Sequence, residues 1–565
     1  MKIKILLQLI LLFSYPAYPQ TFQWAVSISG VTSGPNVRSL TEDKYGYVYT
    51  TGEFHGTVDF DQGVGIFNLT SSGGGDLFIH KSDGAGNFIW AKQLAGDESN
   101  DIVTDDSGNV YITGEFSGGD DFDPGPAVVF LFSNGFNDIF IEKFDSAGNF
   151  IWVKQIGGTE YDLGRSISID SFGHVFTTGT FSSTVDFDPD TGVYNLTSFP
   201  TFRDIFVHKM DVSGNFIWAR GMGGYPNDYG HSITTDAAGN VFTTGVFSSD
   251  TVDFDPGPGI FNLVNLGSGW DIFIQKLDSA GNFLWAKGIG GIDMEDIYCI
   301  KTDISGNVYT TGVFQSDTVD FDPGLGVYNL IQVGVGSDIF VQKLDTAGNF
   351  VWAISIDGFG TIYNSFPTLT LDTAKNVYVS GNFSGTVDFD PGPGTFLMTS
   401  FGWPDVFIQK LDYAGNFIWA KQIGGTAAEG YSFSNECDNA GNLYTAGIFF
   451  GTIDFDPGAG TFNLTNPALQ DVWIQKMSLA SVGIEENLLA LGLYISPNPF
   501  TTTITLKGTI QKGGVRIFDI TGKEILRTKT FNEETKINTA HLTPGFYFIN
   551  YREGERSVNK KIVKM

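Results

Sequence analysis

The chain of 565 residues carries 63 acidic against 32 basic side chains, a net charge of −31, with 51 phenylalanines, 72 glycines and only 17% charged residues. Such aromatic-rich, charge-poor composition excludes an intrinsically disordered chain, and the negative balance excludes a surface for nucleic acid phosphates or anionic lipid. The charge is uneven: residues 493–565 hold 12 basic and 6 acidic side chains, leaving 20 and 57 for the remainder.

In chain order, Lys2 and Lys4, the apolar run Ile5 to Phe13 and the small Ala17 have the layout of a secretory signal peptide, too short to span a membrane. Residues 1–20 are expected to be removed, with cleavage between Ala17 and Thr21, and no transmembrane segment is expected later. The short motif Phe22-Gln23-Trp24-Ala25 follows at once.

From there to residue 478 the sequence repeats. A D-x-x-G-N-V-Y-T-T-G pattern begins at Asp43, Asp105, Asp170, Asp236, Asp303, Asp372 and Asp438, and a D-I-F-I-Q-K-L-D pattern at Asp76, Asp138, Asp204, Asp271, Asp338, Asp405 and Asp471. A third pattern, G-N-F-I-W-A-K, occurs only six times, with tryptophans at 90, 152, 218, 285, 352 and 419. Each unit reads as four short alternating strands separated by turns, as in Ser232 to Ile289. Four-stranded units repeated seven times predict an all-β, seven-bladed β-propeller over residues 21–478. The missing seventh copy has its counterpart in Phe22-Gln23-Trp24-Ala25, so the N-terminal strand is expected to complete the last blade and close the ring. The tryptophans are expected to pack between adjacent sheets. Cys299 and Cys437 fall in different units without a CxxC or His neighbour, and are read as separate buried residues. The wording G-N-V-Y-T-T-G and G-N-F-I-W-A-K-x-x-G-G resembles the β-propeller repeats of bacterial surface proteins, a resemblance that implies the fold and no common activity.

Between the second and third strands of each unit lies an insertion with two aspartates one residue apart: Asp59 and Asp61, Asp121 and Asp123, Asp186 and Asp188, Asp253 and Asp255, Asp320 and Asp322, Asp388 and Asp390, Asp454 and Asp456. In TVDFDPGPGIFN, Thr251 to Asn262, alternation puts Val252 and Phe254 on one face and the aspartates on the other. Strand direction places all seven insertions on one face of the ring, an acidic face read as the binding surface for a glycan or a protein. Three roles stay open for the pairs: holding Ca²⁺, holding a partner, or capping their own turns. The spacing is not that of an EF-hand, because no glutamate follows at the twelfth position. No cofactor beyond Ca²⁺ is expected, and no catalytic residue is assigned, because seven near-identical copies lack the asymmetry a reaction centre needs. Residues not shared by all units, Arg38, Glu160, Asp162, Arg165, Asp228, His231, Glu295 and Asp296, precede or open the innermost strand and are read as a polar channel mouth.

After a linker at 479–492, residues 493–565 change character. Tyr494 and Pro497-Asn498-Pro499, then Asp519 to Lys523 including Gly522, then Pro544-Gly545-Phe546-Tyr547 and the basic end with Lys561 resemble the C-terminal sorting domain of the type IX secretion system. The alternating strands predict a small antiparallel sandwich. The resemblance implies handling by that secretion machinery and an extracellular or surface-attached product. The overall expectation is an exported, non-catalytic binding or adhesion module; the alternatives are an extracellular enzyme of carbohydrate or polymer breakdown working at the channel mouth, and a structural surface-layer component.

Overall fold

The computed structural model describes residues 21–30, 34–333, 336–358, 366–402, 404–426 and 429–479, and in the C-terminal region 494–496, 501–507, 514–519, 523–529, 534–543, 545–553 and 556–564. The expected signal segment 1–20 and residues 480–492 of the expected linker lie outside the described residues. The chain divides into two units, residues 21–478 and residues 479–565 together with 1–20. No helix occurs among the described residues.

In the first unit the described strands form seven antiparallel sheets built on a four-stranded set, five of four strands and two extended to six by the insertion hairpin of the next unit. Sheet 4 is representative: Asp228–Thr235, Val241–Phe247, Asp271–Leu277 and Phe283–Ile289 pair each with the next. The Asp-x-x-Gly-Asn turns explain themselves chemically. Asp278 Oδ1 accepts the backbone N–H groups of Ala280 and Asn282, both at 2.9 Å, while Asn282 Nδ2 donates to Oδ2 at 2.8 Å, so one aspartate satisfies the whole turn. The second and third strands of sheet 4 are buried along their whole length, because each sheet is covered on both faces by its neighbours. One core cluster joins Phe242, Val246 and Ile274 of sheet 4 to Ile297, Phe314 and Phe340 of sheet 5. Another joins Val37, Val48 and Phe54 of sheet 1 to Tyr444, Ile448 and Ile474 of sheet 7. A central channel of about 430 Å³ is lined by residues from the first strand of all seven sheets.

A polar staple recurs between neighbouring sheets. Lys209 Nζ and Trp218 Nε1 of sheet 3 both donate to the Ser279 carbonyl in the last turn of sheet 4, at 2.9 and 3.2 Å, and Lys209 also lies 4.8 Å from the centre of the Phe176 ring. Lys276 with Trp285 and Lys343 with Trp352 repeat the arrangement on the Thr346 and Tyr413 carbonyls. The staple from sheet 7 to sheet 1 is assembled from both ends of the unit. Strand Thr21–Gly30 pairs antiparallel with strand Asn463–Ser478, from Thr21 opposite Ser478 to Ile28 opposite Val472. Trp24 Nε1 from the one and Lys476 Nζ from the other then converge on the Gly84 carbonyl at 3.2 and 2.9 Å. Trp24, Trp218, Trp285 and Trp352 thus contact the neighbouring sheet through an N–H as well as through their rings, whereas the buried Nε1 atoms of Trp90, Trp152 and Trp419 have no hydrogen-bond partner among the described residues.

One position of the third strand breaks the pattern. Gln275, Gln342 and Gln409 donate Nε2 to the carbonyls of Phe254, Phe321 and Phe389 at 2.6 to 2.7 Å, tying each insertion to its sheet. Sheet 2 has Glu142 there, fully buried, with neither carboxyl oxygen hydrogen-bonded. Burial, assisted by the nearby Asp123 charge, pushes its pKa well above the usual carboxylate range. Because the folded-state pKa is raised, this position loses stability as pH climbs above the ordinary glutamate value, where the unfolded chain ionises freely. Glu142→Gln restores the donor that sheets 4 to 7 use, where sheets 1 and 3 have His80 and His208. It is expected to melt close to the parent near pH 4.5 and to gain about 1 to 3 kcal/mol over it by pH 8; a gap that does not widen with pH would contradict the assignment.

The second unit is built from two antiparallel sheets. One contains Tyr494–Ser496, Thr503–Lys507 and Glu534–Asn538; the other contains Gly514–Phe518, Glu524–Lys529, Gly545–Glu553 and Arg556–Lys564. Ile504, Leu506 and Ile537 from the first meet Val515, Ile517, Ile549 and Ile562 from the second in one core. Gly545 opens a strand, and Tyr547 is buried with its hydroxyl donating to the Thr543 carbonyl at 2.9 Å. Pro497, Asn498, Pro499 and Gly522 lie outside the described residues, as does the side chain of Lys561.

Candidate functional site

The site begins with a defect in pairing that recurs. In six sheets the ladder between the first and second strands skips one residue of the first strand: Arg38, Asn100, Arg165, His231, Tyr298 and Phe433. Each is a β-bulge, an extra residue that bends the strand and re-aims its side chain. The residue facing the bulge is the glycine of T-T-G. At Gly245 a Cβ would overlap the Tyr229 carbonyl oxygen, and Gly52, Gly114, Gly179, Gly312 and Gly447 meet the corresponding carbonyls in the same way. The glycine therefore makes room for the bulge, and the bulge presents a side chain at the channel mouth. All six bulged positions lie five residues before the turn aspartate; in sheet 6 that position is Pro367, immediately before the first strand Thr368–Leu371.

The side chains so presented differ from sheet to sheet, and they sort into two arcs. Sheets 1 to 3 supply a connected polar arc. Arg38 pairs with Glu53 at 2.9 Å and with Glu98 at 3.7 Å; Arg165 reaches Glu98 at 3.6 Å and Asn100 at 3.4 Å; Asn100 Nδ2 donates to Glu115 at 3.0 Å. Burial pushes Glu115 up to about 7 against the opposing pull of Arg165. Sheets 4 to 7 supply aromatic rings: Tyr229, His231 and Trp270, then Tyr298, Phe366 and Phe433. His231 stacks on Tyr298 with ring planes 7° apart, and its Nδ1 donates to the Ile297 carbonyl at 2.9 Å. Burial opposes the imidazolium form, but Asp296, 3.3 Å away, more than compensates and holds the His231 pKa above its ordinary value. Arg38, Asn100 and Arg165 of the polar arc, with the aromatic arc and Asp296, enclose a mouth of about 460 Å³.

The mouth opens on the face that carries the insertions, since Trp270 ends the sheet 4 insertion and lines it. Of the polar cluster anticipated there, Arg38, Arg165, His231 and Asp296 do line the mouth. Asp162, Asp228 and Glu295 do not: they are buried and cap loop amides, Asp228 accepting from Gly224, Ser248 and Ser249 and Glu295 from Gly291 and Ser316. Glu160 lines a separate pocket with Tyr161 and Arg203. Asn100, Tyr298 and Phe433 were not anticipated.

The paired aspartates of the insertions have uniform partners. In all seven, Oδ1 of the first (59, 121, 186, 253, 320, 388, 454) accepts the backbone N–H groups two and eight residues on, at 2.8 to 3.2 Å. Oδ1 of the second (61, 123, 188, 255, 322, 390, 456) accepts the N–H two residues on, at 2.7 to 3.1 Å. Each hairpin is also folded down by its phenylalanine: Phe254 is buried against Phe247 and Phe273. Among the described residues, no group of three or more His, Cys, Asp or Glu side chains is placed to hold a metal ion. Cys299 and Cys437 are both free.

Comparison with known proteins adds the following. Residues 494–565 match the family described as a secretion system C-terminal sorting domain, and residues 89–123 and 151–194 match the β-propeller repeat. An uncharacterized WD repeat-containing protein of Acanthamoeba polyphaga mimivirus is 24% identical over 457 residues, which is 67% of this chain and 32% of its own length. The regulatory protein FlaEY of Caulobacter vibrioides is 26% identical over 235 residues, 40% of this chain and 23% of its own. The chain therefore spans about a third or less of the relatives it matches. Among solved structures, PorZ, a surface component of the type IX secretion system of Porphyromonas gingivalis, aligns over 94% of this chain and 74% of its own at 12% identity and a TM-score of 0.23. A chain of the mitotic checkpoint complex aligns over 79% and 94% at 9% identity and a TM-score of 0.37. No helix among the described residues is long and apolar enough to cross a membrane, and the sorting domain indicates export to the cell surface or the extracellular space. The chain carries β-propeller repeats and, over residues 494–565, a C-terminal sorting domain of the type IX secretion system.

Proposed function

We propose that this exported protein is a non-catalytic binding module that engages an extracellular glycan or protein on its insertion face, with the channel mouth as the selective element. The observation that carries the reading is the bulge. Six sheets keep the same glycine and the same bulge, yet use it to present five different kinds of side chain, whereas the turns of the same sheets stay nearly constant. A framework requirement favours one residue everywhere; recognition of a single ligand favours different residues around the rim. The hairpin aspartates are a poorer carrier of selectivity, because an Oδ1 from each is already engaged with its own turn.

The test is a glycan and protein array probed with the full chain, with Ca²⁺ and with chelator, using the parent, Tyr298→Ala and Asp255→Asn. A signal lost in Tyr298→Ala and kept in Asp255→Asn is the expected result. A Ca²⁺-dependent signal lost in Asp255→Asn instead would return recognition to the hairpins. Consumption of an oligosaccharide would favour the enzyme, for which Glu115, its pKa raised by burial beside Glu98, is the group to substitute first.

A further inference from the structure

The two arcs of the mouth together specify more than a location. Resting on the binding-module reading, we infer that the mouth takes a neutral, hydroxyl-rich carbohydrate chain, with sugar faces packed on the aromatic arc and hydroxyls bonded along the polar arc.

The aromatic arc is continuous. Ring centres run from Trp270 to Tyr229 at 5.6 Å, to His231 at 6.3 Å and to Tyr298 at 6.4 Å, then to Phe366 at 5.1 Å and Phe433 at 6.4 Å. These rings are only partly covered, and Phe366 is 44% exposed, unlike the fully buried phenylalanines between sheets. Such a wall suits a ligand with flat apolar C–H faces. Opposite it, Arg38, Asn100 and Arg165 line the mouth, held by Glu53, Glu98 and Glu115 outside the lining. Sugar hydroxyls, each both donor and acceptor, can accept from those guanidinium and amide groups. Charge then narrows the class. The guanidinium groups of Arg38 and Arg165 are already balanced by Glu53 and Glu98, so an anion would have to displace a carboxylate within a chain of net charge −31. A cationic segment would meet the guanidinium groups first. A neutral ligand meets neither penalty. The volume, about 460 Å³, lies in the small-ligand range of roughly 300 to 1,000 Å³.

The experiment is isothermal titration calorimetry of the full chain against neutral gluco-, galacto-, manno- and xylo-oligosaccharides, with a uronic-acid oligosaccharide and an acidic and a basic peptide alongside. At least one neutral oligosaccharide is expected to bind saturably. Binding should fall by about tenfold or more in Tyr298→Ala and in Arg165→Ala, and hold in Tyr298→Phe, which keeps the ring, and in Phe172→Ala, an exposed aromatic in a turn at the other end of the strands. Thermal melts of each variant separate lost binding from lost fold, and Tyr298→Phe decides the matter where Tyr298→Ala does not fold. Preference for the uronic-acid chain, absence of any neutral binder, or neutral binding indifferent to Tyr298 and Arg165 overturns the inference. A peptide that binds and is lost in Tyr298→Ala overturns the sugar while leaving the binding module standing. No ligand of any class dependent on the mouth removes both.

Discussion

Trp24→Ala is expected to lower the stability of the first unit by about 3 to 5 kcal/mol, and deletion of Thr21–Gly30 to abolish its single cooperative unfolding transition. The tryptophan does two things at once: its ring packs into the core shared by sheets 7 and 1, and its Nε1 shares the Gly84 carbonyl with Lys476. The strand that carries it supplies the fourth member of sheet 7, and Ser29 adds a 2.8 Å hydrogen bond to the otherwise buried Asp471. Without it, strand Asn463–Ser478 is left as an uncovered edge, with unpaired amides available to other chains, so loss of cooperativity is expected together with aggregation. The pairing joins residues more than 440 apart, so sheet 7 can be completed only once both ends of the unit are present. A rearranged chain that moves Thr21–Gly30 to follow Ser478 through an Asp-x-x-Gly-Asn turn, the connection used by the other six sheets, should recover the parent melting temperature. A truncated protein that unfolds at the parent temperature with the parent cooperativity would show that this strand does not hold the ring.

The repeat made most of this unit legible in advance. Strand identity, the four-strand period and the N-terminal origin of the fourth strand of sheet 7 all follow from local alternation and from counting copies. The turn-capping role of the insertion aspartates was one of three open readings, and the acceptor geometry of Asp253 and Asp255 is of that kind. The mouth was half legible, and the errors have a common cause. Asp162, Asp228 and Glu295 stand three residues before the bulged residues Arg165, His231 and Tyr298, so strand alternation turns them to the opposite face, between sheets and into loop amides. Tyr229 and Asp296 stand two before, and reach the mouth. The bulge itself leaves no local signature apart from a glycine that could equally mark close packing. Phe366 is harder still, because it enters from the residues before a shortened strand, where Pro367 holds the position that the other sheets give to the bulge. What could have exposed the site is the position five before each turn aspartate, where Arg, Asn, Arg, His, Tyr, Pro and Phe succeed one another beside neighbours that barely change.

Gly245→Ala is the sharpest check on that connection, with an expected loss of about 3 kcal/mol from one methyl group. The pairing runs Gly245 opposite Gly230 and Thr244 opposite Ser232, leaving His231 out, and the strand that accommodates it brings the Tyr229 carbonyl into the space a Cβ would need. Backbone cannot rotate away as a flexible side-chain end can, so the ladder must part or the bulge must migrate. Either outcome moves His231 off Tyr298 and breaks the aromatic arc between sheets 4 and 5. Gly288→Ala supplies the contrast: it lies in the same sheet, but a Cβ there meets only the Leu263 side chain at 3.6 Å or more, an ordinary contact, and its cost should stay within about 0.5 kcal/mol. Denaturant unfolding of the two variants and the parent measures the difference. Equal stability for both would mean that the second strand absorbs a methyl group without disturbance. In that case the glycine of T-T-G would not be what shapes the bulge, and the chain of cause from that motif to the residues of the mouth would be broken at its first link.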